Sequence, residues 1–462
     1  PNESYYNDLV KYMPMMELFK NSEYDSDRHL LSVVLNKVKE DSQYQTDETY
    51  KEINTCLKSV WDSSEASHTR WSAYLMNVRD YIEIAWEDGD TLVGPSRGSG
   101  GGFILLNILG ITQINPLREK TKTFHWRFMN PERVSPLDID IDIEGSKREK
   151  VYGGFQKHYG ADRVSKVLTL RTEKSKSAVL TAARGLGIDV DIAQYLSSMI
   201  TADRGILRTL KQTAYGDEDN DIPVNNQFRF EMEENYPELW EVAQRIEGLI
   251  CGVGSHAGGI IFVDEPFYKT TALMKTSNGD VVTQFDLHDA EDVGLIKIDL
   301  LSIEALDKIH ICLDLLCDNG YIEREKTLRD TYEKVLGIYN IERDNIDIWK
   351  MCWNHEVISL FQMEKQSGIQ GIALTHPSSV DDLATINSVM RLMASEKGAE
   401  QPLNKYARYK KDINLWYDEM RRYGLTEDEI QWLRGYLDIS FGICETQEKL
   451  MSIVQDERVG GH

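Results

Sequence analysis

Residues 138 to 143 read Asp-Ile-Asp-Ile-Asp-Ile, and this run constrains the fold of the chain more than any other segment. Carboxylates and β-branched side chains alternate with a period of two, which is typical of a β-strand with one polar and one buried face. We therefore predict a strand from Val134 to Ile143. Its polar face carries Asp138, Asp140 and Asp142, and its isoleucines face a core.

Three carboxylates on one strand face repel one another. Side chains two residues apart lie about 7 Å from each other, so each neighbouring pair costs about 2 kcal/mol at an effective dielectric constant near 20. Divalent cations would offset this repulsion, and two such ions are a common device for in-line displacement at phosphorus. A solvent-exposed strand face, where water screens the charges, is the alternative. The run by itself leaves both interpretations open.

A second acidic position lies far along the chain. Asp299 is the one carboxylate in the apolar run Leu295–Leu301, which we predict to be a strand over residues 295–300. Burying a lone carboxylate is costly unless it is paired or bound to a metal. Asp299 is thus a candidate metal ligand, and a surface ion pair with Lys297 is the alternative.

The glycine-rich segment Gly94–Gly102 contains Arg97, Gly98 and Ser99 and leads into an apolar segment, Phe103–Leu109, that we predict to be helical. Glycines let backbone N–H groups converge on an anion, and an arginine supplies a charged fork. A phosphate-binding loop and a flexible linker are the two interpretations. Similarly, Ser255–Gly259 either permits close approach of the backbone to a ligand or forms a tight turn.

The net charge of −24 argues against nucleic acid as a partner until its distribution is considered. Residues 118–184 contain 15 Lys and Arg against 9 Asp and Glu, a net charge of +6, so the remainder carries −30. Such segregation is expected when one face of a protein meets a polyanion. Solvated helix faces would give the same pattern.

Cysteines and histidines do not suggest a metal site of their own. The six cysteines are scattered without a CxxC pair, and the ten histidines form no HExxH motif. We therefore expect no disulfides, a reducing cytosol, and carboxylate ligands that suit a hard ion such as Mg²⁺. The longest apolar run, Phe103–Ile111, is far shorter than the about 20 residues of a membrane span.

At 462 residues the chain is long enough for about three domains. Hydrophobic periodicity predicts the remaining elements. They are helices up to residue 90, a short strand at 91–93, helices at 175–187 and 236–249, strands at 259–263 and 281–285, and helices from residue 305 onwards.

Several motifs, taken in order, resemble those of bacterial DNA polymerase III alpha subunits, the C-family replicases. The resemblance covers most of residues 70–395. The motifs are Gly94–Gly100, Gly110–Thr112, Asn115–Leu117, Arg127–Ser135, Asp138–Asp142, His256–Gly259, Val282–Asp286, Gly294–Leu301 and Phe361–Glu364.

This resemblance implies an α+β fold: a polymerase-beta-like nucleotidyltransferase palm with a helical thumb and partial helical fingers. The implied domains are palm at 1–187, thumb at 188–248, the second part of the palm at 249–305, and incomplete fingers at 306–462. The family leads us to expect a core fragment, or a compact and divergent member of viral type. The chain departs from the family at Leu137, Arg171 and Arg391–Met393, where proline, glycine and an Arg-Pro-Gly step are usual.

The resemblance also implies a function: template-directed addition of deoxynucleotides to a primer 3′-OH by two Mg²⁺ ions. Asp142 shares the strand face with a lesser role. The implied residues are Asp138, Asp140 and Asp299 as catalytic metal ligands, Arg97, Gly98, Ser99, Arg127 and Lys297 as triphosphate contacts, and Lys174 and Lys176 as DNA contacts.

The implied partners are primer-template DNA and deoxynucleoside triphosphates, with a second polymerase chain or a sliding clamp bound through segments absent here. The implied location is the cytoplasm of a bacterium or of a bacterial host. The sequence leaves two other functions open. One is a template-independent nucleotidyltransferase, and the other is a non-catalytic DNA-binding replication subunit that depends on a partner chain.

Overall fold

A computed structural model describes residues 3–121, 123–132, 137–203, 206–218, 222–392 and 400–461. By its internal contacts the chain divides into two compact units, one made of Pro1–His158 with Asp299–His462 and the other of Tyr159–Ile298. The predicted start of the aspartate strand at Val134 and the end of the Arg127–Ser135 motif lie outside the described residues.

The first and the last of the described elements are helices, and the strands lie between residues 140 and 302. The α-helices are α1 (Glu3–Val10), α2 (Met16–Lys20), α3 (Asp25–Glu40), α4 (Asp47–Ser67), α5 (Trp71–Glu87), α6 (Ile104–Ile108), α7 (His125–Phe128), α8 (Arg148–Tyr159), α9 (Ser175–Leu186), α10 (Val190–Ser198), α11 (Leu210–Tyr215), α12 (Asn226–Phe230), α13 (Pro237–Ile246), α14 (Phe267–Thr270), α15 (Leu287–Asp292), α16 (Glu304–Asp318), α17 (Leu328–Leu336), α18 (Ile346–Trp353), α19 (Gln366–Thr375), α20 (Val380–Val389), α21 (Pro402–Lys411), α22 (Asn414–Arg422), α23 (Glu427–Leu437) and α24 (Gln447–Val454). The strands are β1 (Asp140–Ile143), β2 (Val164–Thr172), β3 (Ala202–Asp203), β4 (Ile206–Leu207), β5 (Ile250–Phe262), β6 (Leu273–Lys275), β7 (Val281–Thr283) and β8 (Lys297–Ser302). This mixture confirms the predicted α+β class.

The first unit begins with α1 to α5, which confirms the helical region predicted up to residue 90. Helix α4 starts where the Thr46 side chain accepts a hydrogen bond from Thr49 N–H, and it ends at His68 in the left-handed conformation. The inner face of α5 is apolar, with Leu75 and Val78 fully buried. The buried apolar side chains of these helices form part of the hydrophobic core of the unit.

Strands β1 and β8 pair in parallel, and Asp140 is the register partner of Asp299. The predicted alternation is confirmed, because Ile139, Ile141 and Ile143 are buried while the aspartates between them are not. The predicted length is wrong at one end, since the assigned strand begins only at Asp140. Asp138 lies just before it.

The prediction of a strand at residues 91–93 is wrong, because only an isolated bridge is formed there. A single antiparallel bridge joins Val93 to Ile143, and Gly94 N–H donates to Asp142 O at 2.8 Å. Pro95 follows, and a proline cannot donate the next hydrogen bond of a ladder. The segment thus runs beside β1 for one bridge and then turns away.

In the second unit, β2 pairs antiparallel with β5 and parallel with β7, and β7 pairs antiparallel with β6. Strand β2 is not among the elements predicted from the sequence. The register jumps between Lys166, opposite Ile260, and Leu168, opposite Ser255, so several residues of β5 bulge out. His256 Nδ1 accepts hydrogen bonds from the next glycine amides inside this bulge. Residues 256–259, within the segment Ser255–Gly259, are therefore a bulge within a strand, and the segment is not a tight turn between elements.

The helices predicted at 175–187 and 236–249 are confirmed as α9 and α13. They pack with α10 to α12 around a common apolar cluster that includes Val179, Leu196 and Trp240. Helix α9 ends at Leu186 and is capped by Gly187, whose positive φ of 72° suits a residue without a side chain. The second unit thus combines a sheet with a helical cluster.

From α16 onwards the first unit is helical, as predicted from residue 305. Two apolar clusters organise these helices, one around Tyr406 and Ile386 and the other around Trp416 and Ile430. In the described part of the chain, no helix combines the length and the apolar character that a bilayer crossing requires.

The Asp456 carboxylate gives a local test of this helical region. It accepts hydrogen bonds from the Trp432 indole N–H (2.8 Å), Tyr436 O–H (2.7 Å) and Arg458 N–H (2.9 Å). These bonds, the indole bond foremost, lower the pKa of Asp456 from 3.8 to about 2. Because the folded-state pKa is depressed, this stabilisation is complete above pH 3.8 and is lost as the pH falls towards 2.

We expect the Trp432 indole N–H resonance to titrate with a midpoint near pH 2, measured by NMR. The resonance is identified by its loss in Trp432→Phe, and it should not titrate in this range in Asp456→Asn. A wild-type midpoint at the ordinary aspartate pKa would contradict the predicted contact.

Candidate metal and phosphate site

Three aspartates of the first unit converge at β1 and β8. One carboxylate oxygen from each of Asp138, Asp140 and Asp299 lies within 4.8 Å of the other two. Asp138 is exposed, Asp140 is half-buried, and Asp299 is only 8% exposed. A solvent-exposed surface pair with Lys297 therefore does not describe Asp299. The parallel register of β1 and β8 brings Asp140 beside Asp299, although the two are far apart in sequence.

The third aspartate of the run, Asp142, has a different environment. Its Oδ1 lies 3.3 Å from Arg97 Nη1, and Arg97 Nε lies 3.4 Å from Asp140 Oδ2. Burial raises the pKa of the Asp142 carboxyl, and the Arg97 guanidinium opposes that rise. The repulsion expected along β1 is thus offset at Asp142 by an arginine.

The glycine segment is packed rather than loose. Gly98–Gly102 form a 3₁₀ turn in which Gly98 has a φ of +64°, and Gly100 and Gly102 are buried. A Cβ at Gly100 would lie 2.9 Å from the Leu106 side chain, and one at Gly102 would lie 2.8 Å from Thr123. This packing does not fit a flexible linker. It places Arg97 at the start of the turn, beside Asp140.

Tyr74, on α5, approaches the aspartate cluster from the protein interior. Its side chain is 5% exposed, and its buried hydroxyl lies next to the backbone of Ile139. Burial raises its pKa most, and the charges of Asp138, Asp140 and Asp299 raise it further. Tyr74 therefore presents a protonated hydroxyl within electrostatic reach of all three carboxylates.

Arg127, a predicted triphosphate contact, lies on α7 and is already engaged. Its Nε is 2.6 Å from Glu448 Oε1, and its Nη1 donates to Gln447 Oε1 at 2.7 Å. The next residue, Phe128, packs on Phe103 at 5.0 Å between ring centroids, beside the glycine segment. Arg127 thus joins the region of the glycine segment to the start of α24.

The remaining predicted site residues lie elsewhere. Lys297 is half-buried on β8, two residues before Asp299. Lys174 precedes α9 in the second unit and is exposed, and Lys176 is half-buried in the first turn of that helix. Their predicted contacts with triphosphate and DNA stay predictions.

Two residues at or next to the site, Tyr74 and Glu144, are not predicted from the sequence. Tyr74 carried no signal beyond the helical periodicity of α5. Glu144 continues the period-two spacing of the aspartates, which would have placed it on their exposed face. Instead the strand ends at Ile143, and Glu144 is 2% exposed. The spacing of Glu144 from the aspartates therefore predicts an exposed side chain, and this prediction is wrong.

Two family models match the chain. One, described as the bacterial DNA polymerase III alpha NTPase domain, matches residues 28–302. The other, described as the bacterial DNA polymerase III alpha subunit finger domain, matches residues 321–458. The first match alone covers more than half of the 462 residues and contains the aspartate cluster. Both agree with the resemblance of the ordered motifs.

Curated relatives point the same way. The probable DNA polymerase YorL of Bacillus subtilis (strain 168) is 40% identical over 446 residues, which are 94% of this chain and 34% of that protein. The DNA-directed DNA polymerase of Bacillus phage SPbeta gives the same identity and coverage. The DNA polymerase III subunit alpha of Aquifex aeolicus is 25% identical over 475 residues, 97% of this chain and 38% of that protein. The chain thus spans between a third and two fifths of the length of these relatives.

Gly94 tests the packing of the glycine segment on β1. A Cβ at this position would lie 2.7 Å from Asp142 Cβ, so Gly94→Ala must push the segment away from the strand. We expect a loss of about 1–3 kcal/mol in the free energy of unfolding, measured by urea denaturation followed by circular dichroism.

Gly153→Ala is the matched control. Gly153 is exposed within α8, and a Cβ there meets nothing within 4 Å. This variant should gain about 0.5–1 kcal/mol because alanine favours the helix. Equal stabilities for the two variants would show that the segment does not pack closely on β1.

Proposed function

Because the chain belongs to the bacterial DNA polymerase III alpha family, we propose that it is the core of a template-directed DNA polymerase that extends a primer 3′-OH. The observation that carries this proposal is the convergence of Asp138, Asp140 and Asp299 from β1 and β8. Family membership supports polymerase chemistry in general, and the carboxylate cluster indicates where in this chain that chemistry would occur.

The donor set of the cluster fits Mg²⁺. Carboxylate oxygens are the ligands that hard divalent ions prefer, and three converging carboxylates repel one another unless a cation offsets them. The buried hydroxyl of Tyr74 adds a polar group near these oxygens. We propose that Asp138, Asp140 and Asp299 hold two Mg²⁺ ions, which when bound activate the attacking oxygen and neutralise charge on the leaving pyrophosphate.

The phosphates of the nucleotide would meet Arg97, Gly98 and Ser99. Arg97 is 42% exposed in its side chain and already faces Asp140, so it can reach a phosphate beside the cluster. A guanidinium presents several N–H donors in a fixed fork that suits phosphate oxygens. By family resemblance, Arg127 and Lys297 would complete the triphosphate contacts.

Arg127 must exchange partners to do so. Glu448 and Gln447 occupy its guanidinium in this structure, and a triphosphate would offer competing anionic oxygens. We propose that the start of α24 moves relative to Arg127 when nucleotide binds. In the second unit, Lys174 and Lys176 are proposed DNA contacts through the phosphate backbone.

The fold and domain roles belong to the same proposal. The palm would be of the polymerase-beta-like nucleotidyltransferase type and comprise residues 1–187 and 249–305. The thumb would comprise residues 188–248, and the fingers residues 306–462. Primer-template DNA and deoxynucleoside triphosphates would be the substrates, a sliding clamp or second polymerase chain would be a further partner, and the cytoplasm would be the location.

Primer extension tests the assignment. Asp140→Asn removes one ligand charge and should lower Mg²⁺-dependent extension of a primer-template by at least about a hundredfold, since a ligand carboxylate acts directly on the bound ions. Asp347→Asn, at an 80%-exposed side chain far along the sequence, should leave the rate unchanged. Circular dichroism establishes that both variants are folded.

Two outcomes would contradict the proposal. Undiminished extension by Asp140→Asn would remove the cluster from the reaction. Continued nucleotide addition after the template strand is omitted would identify a template-independent nucleotidyltransferase instead.

A further inference from the structure

A buried acidic residue, Glu144, follows β1 directly and takes no part in the proposed chemistry. It is 2% exposed. Its Oε2 accepts a hydrogen bond from Leu92 N–H at 2.7 Å, and His310 Nδ1 lies 2.8 Å from its Oε1. A carboxylate only accepts hydrogen bonds, so His310 donates. The Glu144 backbone N–H in turn donates to the Thr91 hydroxyl at 3.1 Å.

Such a group is expensive to bury. An ionised carboxylate taken out of water costs several kcal/mol unless hydrogen bonds and an opposite charge compensate it. An apolar side chain could fill the same space, but it would leave Leu92 N–H without an acceptor. The directional contacts of Glu144 therefore fix the positions of specific neighbours, which packing alone would not do.

The first of these neighbours is the stretch Leu92–Val93, which leads into the glycine segment. Leu92 is held by Glu144, Val93 forms the bridge to Ile143, and Gly94 N–H donates to Asp142 O. Three residues later Arg97 reaches Asp140 and Asp142. Glu144 thus fixes the register in which the segment that carries Arg97 lies along β1.

The second neighbour is α16, which follows β8. His310 lies on this helix and is 8% exposed. At the start of α16, Ile303 N–H donates to Ile143 O at 2.8 Å, and Asp307 accepts from Gly145 N–H at 2.8 Å. The end of β1 and the exit of β8 are therefore joined just beyond the Asp140–Asp299 pair.

We propose that Glu144 and His310 form a positioning clamp that holds Asp140 and Asp299 in the arrangement needed to bind divalent ions, and that also fixes the segment carrying Arg97 beside them. The clamp rests on the proposed function, because it acts through the carboxylates assigned there to the metal. Glu144 touches neither substrate nor metal. Groups hydrogen-bonded directly to metal ligands change metal affinity by about 10- to 100-fold. Glu144 acts through the backbone next to the ligands, so we take the lower end of that range, about tenfold, as the expected effect.

Metal affinity is the direct measure of the clamp. With the full 462-residue chain and Mn²⁺ as the probe, followed by electron paramagnetic resonance, Glu144→Ala should weaken binding by about tenfold or more. Glu144→Gln should restore affinity to within about twofold. Its amide oxygen can accept from Leu92 N–H, and its amide N–H can donate to the other tautomer of His310.

A matched control separates positioning from general stability. Asp382 is 7% exposed, lies 2.9 Å from Lys410 Nζ, and accepts from Ser378 N–H at 2.8 Å, in the helical part of the same unit. Asp382→Ala thus removes a comparable buried carboxylate with a cationic partner. It should lower the thermal unfolding temperature without changing Mn²⁺ affinity.

The outcomes are distinct. Wild-type Mn²⁺ affinity in Glu144→Ala, or an equal loss in Asp382→Ala, overturns the clamp. If Glu144→Ala fails to fold, His310→Ala decides, because it removes one side of the clamp and leaves the Leu92 contact. A weaker affinity in that variant supports the proposal, and an unchanged one overturns it.

Asp140→Asn in the same titration distinguishes this inference from the proposed function. If Asp140→Asn weakens Mn²⁺ binding and the clamp variants do not, only the clamp is wrong. If Asp140→Asn binds Mn²⁺ like the wild type, the metal site itself is misassigned, and the clamp falls with it.

Discussion

The parallel pairing of β1 with β8 is the constraint on which the candidate site depends. It makes Asp140 and Asp299 register partners, although they come from distant parts of the chain. That arrangement concentrates negative charge, which disfavours the fold unless cations or protein dipoles compensate it. The buried isoleucines of β1 hold the strand in place by apolar packing, and this fixes the face on which its carboxylates lie.

The sequence predicts the parts of this site that depend on periodicity. The alternation of residues 138–143 indicates a strand with one buried face, and the isolated Asp299 indicates a second acidic position. Periodicity does not identify β2, because its polar and basic residues interrupt the alternation of apolar and polar side chains. Pairing with β5 stabilises this strand. Nor does periodicity reveal that β1 ends before Glu144, because the end depends on contacts with Leu92 and His310 that no local pattern encodes.

Contacts between charged side chains are still less predictable from the sequence, because the partners of an ion pair are not separated by any regular spacing. Arg127 lies 320 residues from Gln447, and Lys120 lies 261 residues from Asp381. Each contact joins the segment after the glycine turn to a helix that follows β8, α24 for Gln447 and α20 for Asp381. Family resemblance assigned Arg127 to phosphate, but it could not show that α24 already holds the guanidinium. The structure therefore shows that Glu448 and Gln447 would compete with a phosphate for Arg127, which the sequence motif does not indicate.

Arg97 makes the two halves of the candidate site interdependent. Its guanidinium contacts Asp140 and Asp142 at the same time, so the charge at the carboxylate cluster governs how firmly it is held. A cation bound by the carboxylates would weaken that attraction, and an anion bound by the arginine would compete with it. Since linkage is reciprocal, a cation bound at the cluster would strengthen anion binding at Arg97 by the same factor by which the bound anion strengthens cation binding. If the carboxylates hold a cation and Arg97 holds a phosphate, as proposed, each would therefore bind more tightly when the other is bound than it does alone.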